Sequence, residues 1–522
     1  MSNRFTSLDY NHAVNLDKII MHDDFSRFVD YILKNNININ SRMPVMQNSK
    51  LSFAPLIAVA AYYRALMVFR TLLDKGVNLE FSKYSNHSIK PLFHYAVAGG
   101  NRSIIQLLLT NDCNLDGAII PLIRYGHLEL TKQFVEFFKN EGNSTFIDVL
   151  NELFPEKIEN KIPIALKLAI HSQKLEMLDY IYTKLKNCCS KNILYLKEKN
   201  YRTALHYACK FDNLEIIEYL FTEDPFQICP TEENPITPLH IAFNSNRATQ
   251  NRYMCKLIQL VADCQELKEK LYEIFNSVDN DNMTILHHAS KCGNCNAVKM
   301  LMNLCPEYVN ASLQRNDGFT PIMLCVSSRD INTFTIFIEN SKKFKNDYLN
   351  IFGVNNLGRN ILHIAARQNF IEVFIYILDN YPKLLYQADY CQMSPLILAA
   401  VQRNFDIVDY LIEREPEFVS KDFCKISGKN LLHWLAKVGN AESLIEKILT
   451  RKLIDVDCVS FDPYLTPLSI AVREGHEETI QTLINFGADP NFPLFEANTP
   501  SKIQCSNYIR EIMHLPPIHF QK

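Results

Sequence analysis

A six-residue block recurs along this chain, and successive copies begin 33 to 47 residues apart. The clearest copies carry Leu and His at their third and fourth positions, at residues 203–208, 237–242, 284–289 and 360–365. Weaker copies begin at Thr320, Ser394, Asn430 and Thr466, with a trace at Thr499. A period of this length indicates an array of stacked structural units rather than a domain with one central core.

Each recurring position has a physical role. A Thr at the block start can cap a helix, and a Pro after it suits the first helical turn. The tenth position predicts a left-handed turn into a second, apolar helix, because glycine fills it at Gly100, Gly126, Gly293, Gly439 and Gly475. Asp212, Asn246 and Asn369 take its place elsewhere. We expect several second helices to end at prolines, namely Pro225, Pro306, Pro382 and Pro416.

Residues 466–491 carry the most complete set of motifs: Thr466-Pro467-Leu468, Ala471, Gly475, Leu483 and Gly487-Ala488-Asp489. This pattern resembles the ankyrin repeat family. The resemblance implies an all-α solenoid of stacked antiparallel helix pairs joined by β-hairpin loops, with about 13–14 repeats. We expect degenerate repeats over residues 1–200, well-marked repeats over 201–500 that continue the same array, and a C-terminal cap or tail over 501–522.

Composition excludes several classes of protein. Hydrophobic residues make up 47% and charged residues 21%, which is typical of a folded chain. The net charge of −3 disfavours nucleic-acid binding, and no apolar run reaches the roughly 18 residues of a membrane span, so we expect no membrane insertion. Fifteen scattered cysteines and no signal-like start favour the cytoplasm, with the nucleus as an alternative.

The chemistry-bearing residues follow the repeat. Gly293, between Cys292 and Cys295, occupies the turn position, which argues against a redox or zinc site there. The aligned histidines, one per repeat, are expected to bind hairpin backbone: His94, His206, His240, His287, His363 and His433. No phosphate loop, nucleophile elbow or zinc-protease motif is present in the sequence. We therefore predict a non-enzymatic protein with no catalytic, cofactor or metal site.

The resemblance implies that partner proteins dock on a concave face formed by hairpin tips and by the residues before each turn. The corresponding positions are Asn316, Asp317, Asn356, Leu357, Arg367, Gln368, Tyr390, Cys391, Val401, Gln402, Ile426, Ser427, Lys437 and Asp462. Leu357, Tyr390 and Ile426 would be apolar anchors in a scaffold or adaptor. Alternatively, longer hairpins fold these three side chains back onto neighbouring repeats.

Three further hypotheses remain. Residues 505–522 resemble weakly a docking box, which would suit a substrate-recruiting subunit of a ubiquitin ligase or other modifying complex. A second hypothesis is an enzyme within residues 1–200. The repeat pattern argues against it, because it continues there through Gly100 and Gly126. The spacing of Leu483, Asp489 and Asn491 resembles that of asparaginyl-hydroxylase substrates, so Asn491 is a possible hydroxylation site, although turn geometry alone explains an Asn there.

Overall fold

The computed structural model divides the chain into two compact units, residues 1–234 and 235–522. It describes residues 8, 10–47, 50–79, 92–111, 118–140, 146, 148, 150, 161–188, 192–195, 202–231, 234–243, 251–304, 309–341, 349–461, 464–490 and 511.

Among the described residues, the first unit contains six helix pairs and one two-stranded antiparallel sheet, which pairs Arg42 with Pro55 and Gln47 with Lys50. The elements are α1 (Tyr10–Met21), α2 (Phe25–Lys34), β1 (Arg42–Gln47), β2 (Lys50–Pro55), α3 (Leu56–Tyr62), α4 (Leu66–Asp74), α5 (Leu92–Gly99), α6 (Arg102–Thr110), α7 (Ile119–Arg124), α8 (Leu128–Asn140), α9 (Lys161–His171), α10 (Leu175–Lys186), α11 (Ala204–Phe211), α12 (Leu214–Glu223) and a 3-10 helix (Pro225–Ile228).

The second unit contains seven helix pairs in its described part, with short extra helices between some of them. The elements are α13 (Pro238–Phe243), α14 (Asn251–Asp263), a 3-10 helix (Gln265–Lys270), α15 (Leu271–Asn276), α16 (Ile285–Lys291), α17 (Cys295–Leu304), α18 (Pro321–Ser327), α19 (Ile331–Ser341), α20 (Ile361–Arg367), α21 (Ile371–Asn380), a 3-10 helix (Pro382–Tyr386), α22 (Pro395–Val401), α23 (Phe405–Arg414), α24 (Pro416–Lys421), α25 (Leu431–Val438), α26 (Glu442–Thr450), α27 (Pro467–Glu474) and α28 (Glu477–Asn485). The all-α repeat fold is confirmed.

The block residues cap the first helix of several pairs, as predicted. The side-chain oxygens of Thr320, Asn360 and Ser394 accept hydrogen bonds from the backbone N–H three residues further on. Buried Leu and Ala side chains from the first helix of one pair then pack on the first helix of the next. The core is therefore a row of interfaces between adjacent repeats, as the periodic sequence requires.

The tenth position is left-handed at all five predicted glycines, and at Asp212 and Asn369. Arg64, Gln173, Arg329 and Arg403 occupy the same position with φ of 57–67°, which the sequence did not lead us to expect. Three of these four side chains bond to the helix-end carbonyl of the next repeat: Arg64 to Gly99, Gln173 to Phe211 and Arg403 to Val438. An interaction with a neighbouring repeat thus offsets the backbone strain.

The prolines differ from expectation. The second helix ends before the proline, and Pro225, Pro382 and Pro416 each begin a short third helix, where no backbone N–H is required. Pro306 lies outside the described residues. The residues of these third helices lengthen the repeats that contain them.

Candidate protein-interaction site

Hairpins connect the repeats of the second unit, and Asp or Asn side chains hold three of them, two of these side chains being buried. Asn355 Oδ1 accepts from the N–H groups of Leu357 and Arg359, at 3.0 Å each. Asp389 Oδ1 accepts from Cys391 and Met393 in the same pattern, at 2.9 and 3.0 Å, as Asp279 does in an earlier hairpin. The tips are therefore fixed in shape before any partner binds.

Backbone hydrogen bonds then join neighbouring tips. Asn356 N–H donates to Asp317 O at 3.0 Å, and Tyr390 N–H donates to Leu357 O at 2.9 Å. A third bond of this kind runs from Phe461 N–H to Ser427 O at 2.8 Å. The structure therefore brings together the tip residues that the sequence placed in separate repeats.

Four large apolar side chains stand on these joined tips, and we call them the tip stripe: Leu357, Tyr390, Ile426 and Phe461. Their exposed fractions are 52%, 68%, 67% and 51%. Tyr390 lies against Gly358, where an added Cβ would meet the Tyr390 ring at 2.5 Å, and Phe461 lies against Gly428 in the same way. Sequence reasoning missed Phe461, because it assigned the tip of this hairpin to the next residue, Asp462.

The residues before the turns form a second feature. Val401 and Lys437, which the sequence singled out, line one open groove of about 370 Å³. We call it the Trp434 groove, and its lining residues are Val401, Arg403, Trp434, Lys437, Val438, Glu474 and His476. Arg367 and Gln402 are exposed outside this lining, and Gln368 bonds to Ser327 at 3.4 Å. Trp434 is the only tryptophan in the sequence, and this fact was the one sequence signal that pointed to the groove.

Positive charge gathers around Trp434. Lys429 Nζ lies 5.6 Å and Lys437 Nζ 5.2 Å from the centroid of its ring. Burial lowers the pKa of Lys429, and repulsion from Lys437 and Arg473 lowers it further. The nearby carboxylate of Glu474, which pairs with Arg473 Nη2 at 2.8 Å, opposes this lowering of the pKa.

Four of the six aligned histidines bind hairpin backbone, as predicted. His287 Nδ1 accepts from Thr284 N–H, and its Nε2–H donates to Phe319 O of the next hairpin at 3.1 Å. His240, His363 and His433 make the same Nε2 bond to Met283, Met393 and Leu465. Burial lowers the pKa of all four rings to about 4, so they are neutral at pH 7. Within the described residues no group of three potential ligands could hold a metal ion.

Several sequence predictions fall outside the described part of the chain. These are the partner-binding residue Asp462, the hydroxylation candidate Asn491, and the docking segment 505–522 apart from residue 511. Each of them stays a prediction.

Comparison with known proteins identifies the fold family. The family model described as ankyrin repeats (3 copies) matches residues 166–264, 247–348, 348–422 and 396–493, more than half of the chain. The chain belongs to the ankyrin repeat family. Among solved structures, it is similar to the ankyrin repeat domain of Bcl-3, with a TM-score of 0.34 and 21% identity over 41% of this chain and 90% of that one.

Curated relatives share parts of this ankyrin array. The human ankyrin repeat domain-containing protein SOWAHD is 39% identical over 18% of this chain and 30% of its own length. The Drosophila melanogaster transient receptor potential cation channel subfamily A member 1 is 25% identical over 55% of this chain and 23% of its own. The NAD-dependent deacetylase sir2B of Dictyostelium discoideum is 20% identical over 69% of this chain and 46% of its own length.

The chain thus spans less than half the length of these relatives. No helix in the described ranges is both long and apolar enough to cross a membrane.

Proposed function

We propose that this ankyrin array is a non-enzymatic scaffold or adaptor that binds partner proteins through the tips of its second unit, within residues 316–474. The observation that carries the proposal is the tip stripe, in which four large apolar side chains are about half or more exposed, two of them on hairpins held by Asn355 and Asp389. Aromatic and apolar anchors contribute most of the binding energy in protein interfaces.

Two further observations support this proposal. The aligned histidines, which could otherwise be taken for catalytic groups, are kept neutral by burial, and their Nε2 bonds join neighbouring repeats. The cysteines within the described residues are free thiols, which fits the cytoplasm as the site of action, with the nucleus as an alternative. The deacetylase activity in the name of the Dictyostelium relative belongs to that protein.

Replacement of Leu357, Tyr390 and Ile426 by Ser tests the proposal. The immobilised full-length chain captures partners, which are identified by mass spectrometry, and binding of a purified partner is then measured. The triple variant should bind at least about tenfold more weakly, a loss of roughly 1.4 kcal/mol. Its melting temperature should stay close to that of the unmodified chain, because the three side chains are exposed.

Tyr272→Ser with Ile331→Ser provides a matched control, since these side chains are 55% and 43% exposed outside the tip stripe. The control should bind normally. Unchanged binding by the triple variant would place the interface elsewhere, and a large fall in its melting temperature would show that the three side chains stabilise the fold.

A further inference from the structure

The Trp434 groove differs from the tip stripe in its chemistry. Its walls combine the apolar side chains of Val401 and Val438 with the indole of Trp434, and the cation Lys437 belongs to its lining. Lys429 is not part of the lining but lies beside the same indole. Lys429 and Lys437 both place their ammonium groups within 6 Å of the indole centroid. The free chain thus holds two like charges against one aromatic ring.

The surroundings leave this charge uncompensated. Glu474 is the one carboxylate in the groove lining, and Arg473 pairs with it. Burial is the largest cause of the lowered pKa of Lys429; repulsion from Lys437 and Arg473 lowers it further, while Cys424 and Glu474 oppose the shift, so an excess of positive charge remains. This excess is local, because the chain as a whole carries a net charge of −3. An anionic group placed here would relieve the repulsion between the two lysines.

The indole N–H of Trp434 is a second distinctive feature of this region. Trp434 Nε1–H is covered from solvent and has no hydrogen-bond acceptor among the described residues. A buried donor without an acceptor is uncommon and costs stability; because this N–H is covered from solvent, a ligand in the groove reaches it only if the indole shifts.

We propose that the Trp434 groove binds an acidic, extended segment of a partner protein, whose carboxylates meet Lys429 and Lys437 while apolar side chains lie on Val401 and Val438. This inference rests on the proposed function and names the chemistry of one partner. In an extended segment, alternate side chains share a face about 7 Å apart, so successive acidic residues can reach both lysines. A small anion would leave the apolar walls unused, which favours a peptide.

Fluorescence measures this binding directly, because Trp434 is the sole tryptophan. The full-length chain is titrated with a peptide of about ten residues, long enough to span the groove when extended, in which Glu and Asp alternate with Leu. The matched peptide has Gln and Asn in place of the acids, and an oligothymidylate tests for nucleic acid. We expect a saturable change in emission with the acidic peptide, at least about tenfold weaker binding of the neutral one, and weakening by salt.

The variant Lys429→Gln/Lys437→Gln should lose at least about tenfold in affinity for the acidic peptide. Lys383→Gln/Lys421→Gln, which removes two exposed lysines outside the groove, should bind as the unmodified chain does. Equal binding of the neutral peptide, tighter binding of the oligonucleotide, no change in emission, or an unaffected groove variant would each overturn the inference. If the tip-stripe variant still loses its partner while the acidic peptide fails, the proposed function stands and this inference alone falls.

Discussion

At the scale of single residues, the aligned histidines explain both the motif and a pH dependence. Each ring spans two repeats: its Nδ1 lies at its own cap residue, and Nε2–H donates to a carbonyl of the next hairpin. In His240 and His287 the Nδ1 accepts from the cap N–H, and this contact together with the Nε2 bond requires a neutral ring in the tautomer with the proton on Nε2. This contact with hairpin backbone could be predicted from the sequence. When the same residue type recurs at the same position of each repeat, it is expected to make the same contact in each repeat.

These histidines should make the protein sensitive to acid. Their pKa is about 4 in the folded chain and about 6.5 when unfolded. Below pH 6.5 the unfolded state therefore binds more protons, so the free energy of unfolding falls as pH drops from about 6.5 towards 4. The loss at pH 5 should be on the order of 1–2 kcal/mol per ring.

Urea unfolding at pH 7.5 and pH 5 measures this loss. His363→Gln, which keeps a donor for Met393 O, should lose less free energy of unfolding between the two pH values than the unmodified chain. An equal or greater loss would show that this ring does not carry the pH dependence.

Asp422 should act with the opposite sign. Burial raises its pKa to about 6 although the hydroxyl of Ser394 donates to it, so the folded state holds a proton that the unfolded state, with a pKa near 3.9, releases. Its contribution to stability thus increases as pH falls through 6. Asp422→Asn should therefore lose more free energy of unfolding between pH 7.5 and 5 than the unmodified chain. A smaller loss in the same urea measurements would refute this assignment.

At the scale of elements, the turn between paired helices shows where sequence reasoning ends. Glycine in the left-handed position follows from backbone sterics, and the structure confirms it. Arg403 at the same position could not be predicted, because its compensating bond lies on Val438 in the next repeat. The β1–β2 hairpin was missed for a related reason, since it falls among degenerate repeats with few signature residues.

Substitution of two turn glycines by alanine should lower the free energy of unfolding by different amounts. Gly475 has φ +82°, and a Cβ there would meet no atom within 4 Å, so Gly475→Ala should cost about 1 kcal/mol of backbone strain. A Cβ on Gly439 would lie 2.7 Å from the ring of His476, whose Nε2–H donates to Lys437 O at 3.0 Å. Gly439 also has φ 67° and ψ 177°, a conformation almost confined to glycine, whereas Gly475 is in the left-handed helical region. Gly439→Ala should therefore cost at least about twice as much, through this strain and the disturbed hydrogen bond. Equal costs in urea unfolding would show that both the backbone and the His476 ring adjust freely.

At the scale of the whole molecule, the repeat array was predictable and its interaction surfaces were only partly so. The tips followed from the family resemblance. The Trp434 groove is assembled from residues of three repeats, and only the fold reveals that Val401, Trp434 and Glu474 line the same space. Periodicity specifies the frame, whereas the residues that depart from the repeat specify the surface.

The tip stripe and the Trp434 groove both lie in the unit of residues 235–522. Because repeat proteins draw stability from nearest neighbours, this unit expressed alone should fold. We expect a helical circular dichroism spectrum and an affinity for the acidic peptide within about twofold of the full chain, under ~0.5 kcal/mol. An unfolded fragment would show that these repeats depend on the first unit.

The central claim is that partner proteins bind on the tips of the second unit. Hydrogen–deuterium exchange of the full-length chain, with and without a captured partner, tests it most directly. We expect slower exchange on binding in the tip segments 355–358, 389–391 and 424–428, and unchanged exchange in the second helices Phe405–Arg414 and Glu442–Thr450. Slower exchange confined to those second helices or to residues 10–230, with the tips unaffected, would contradict it.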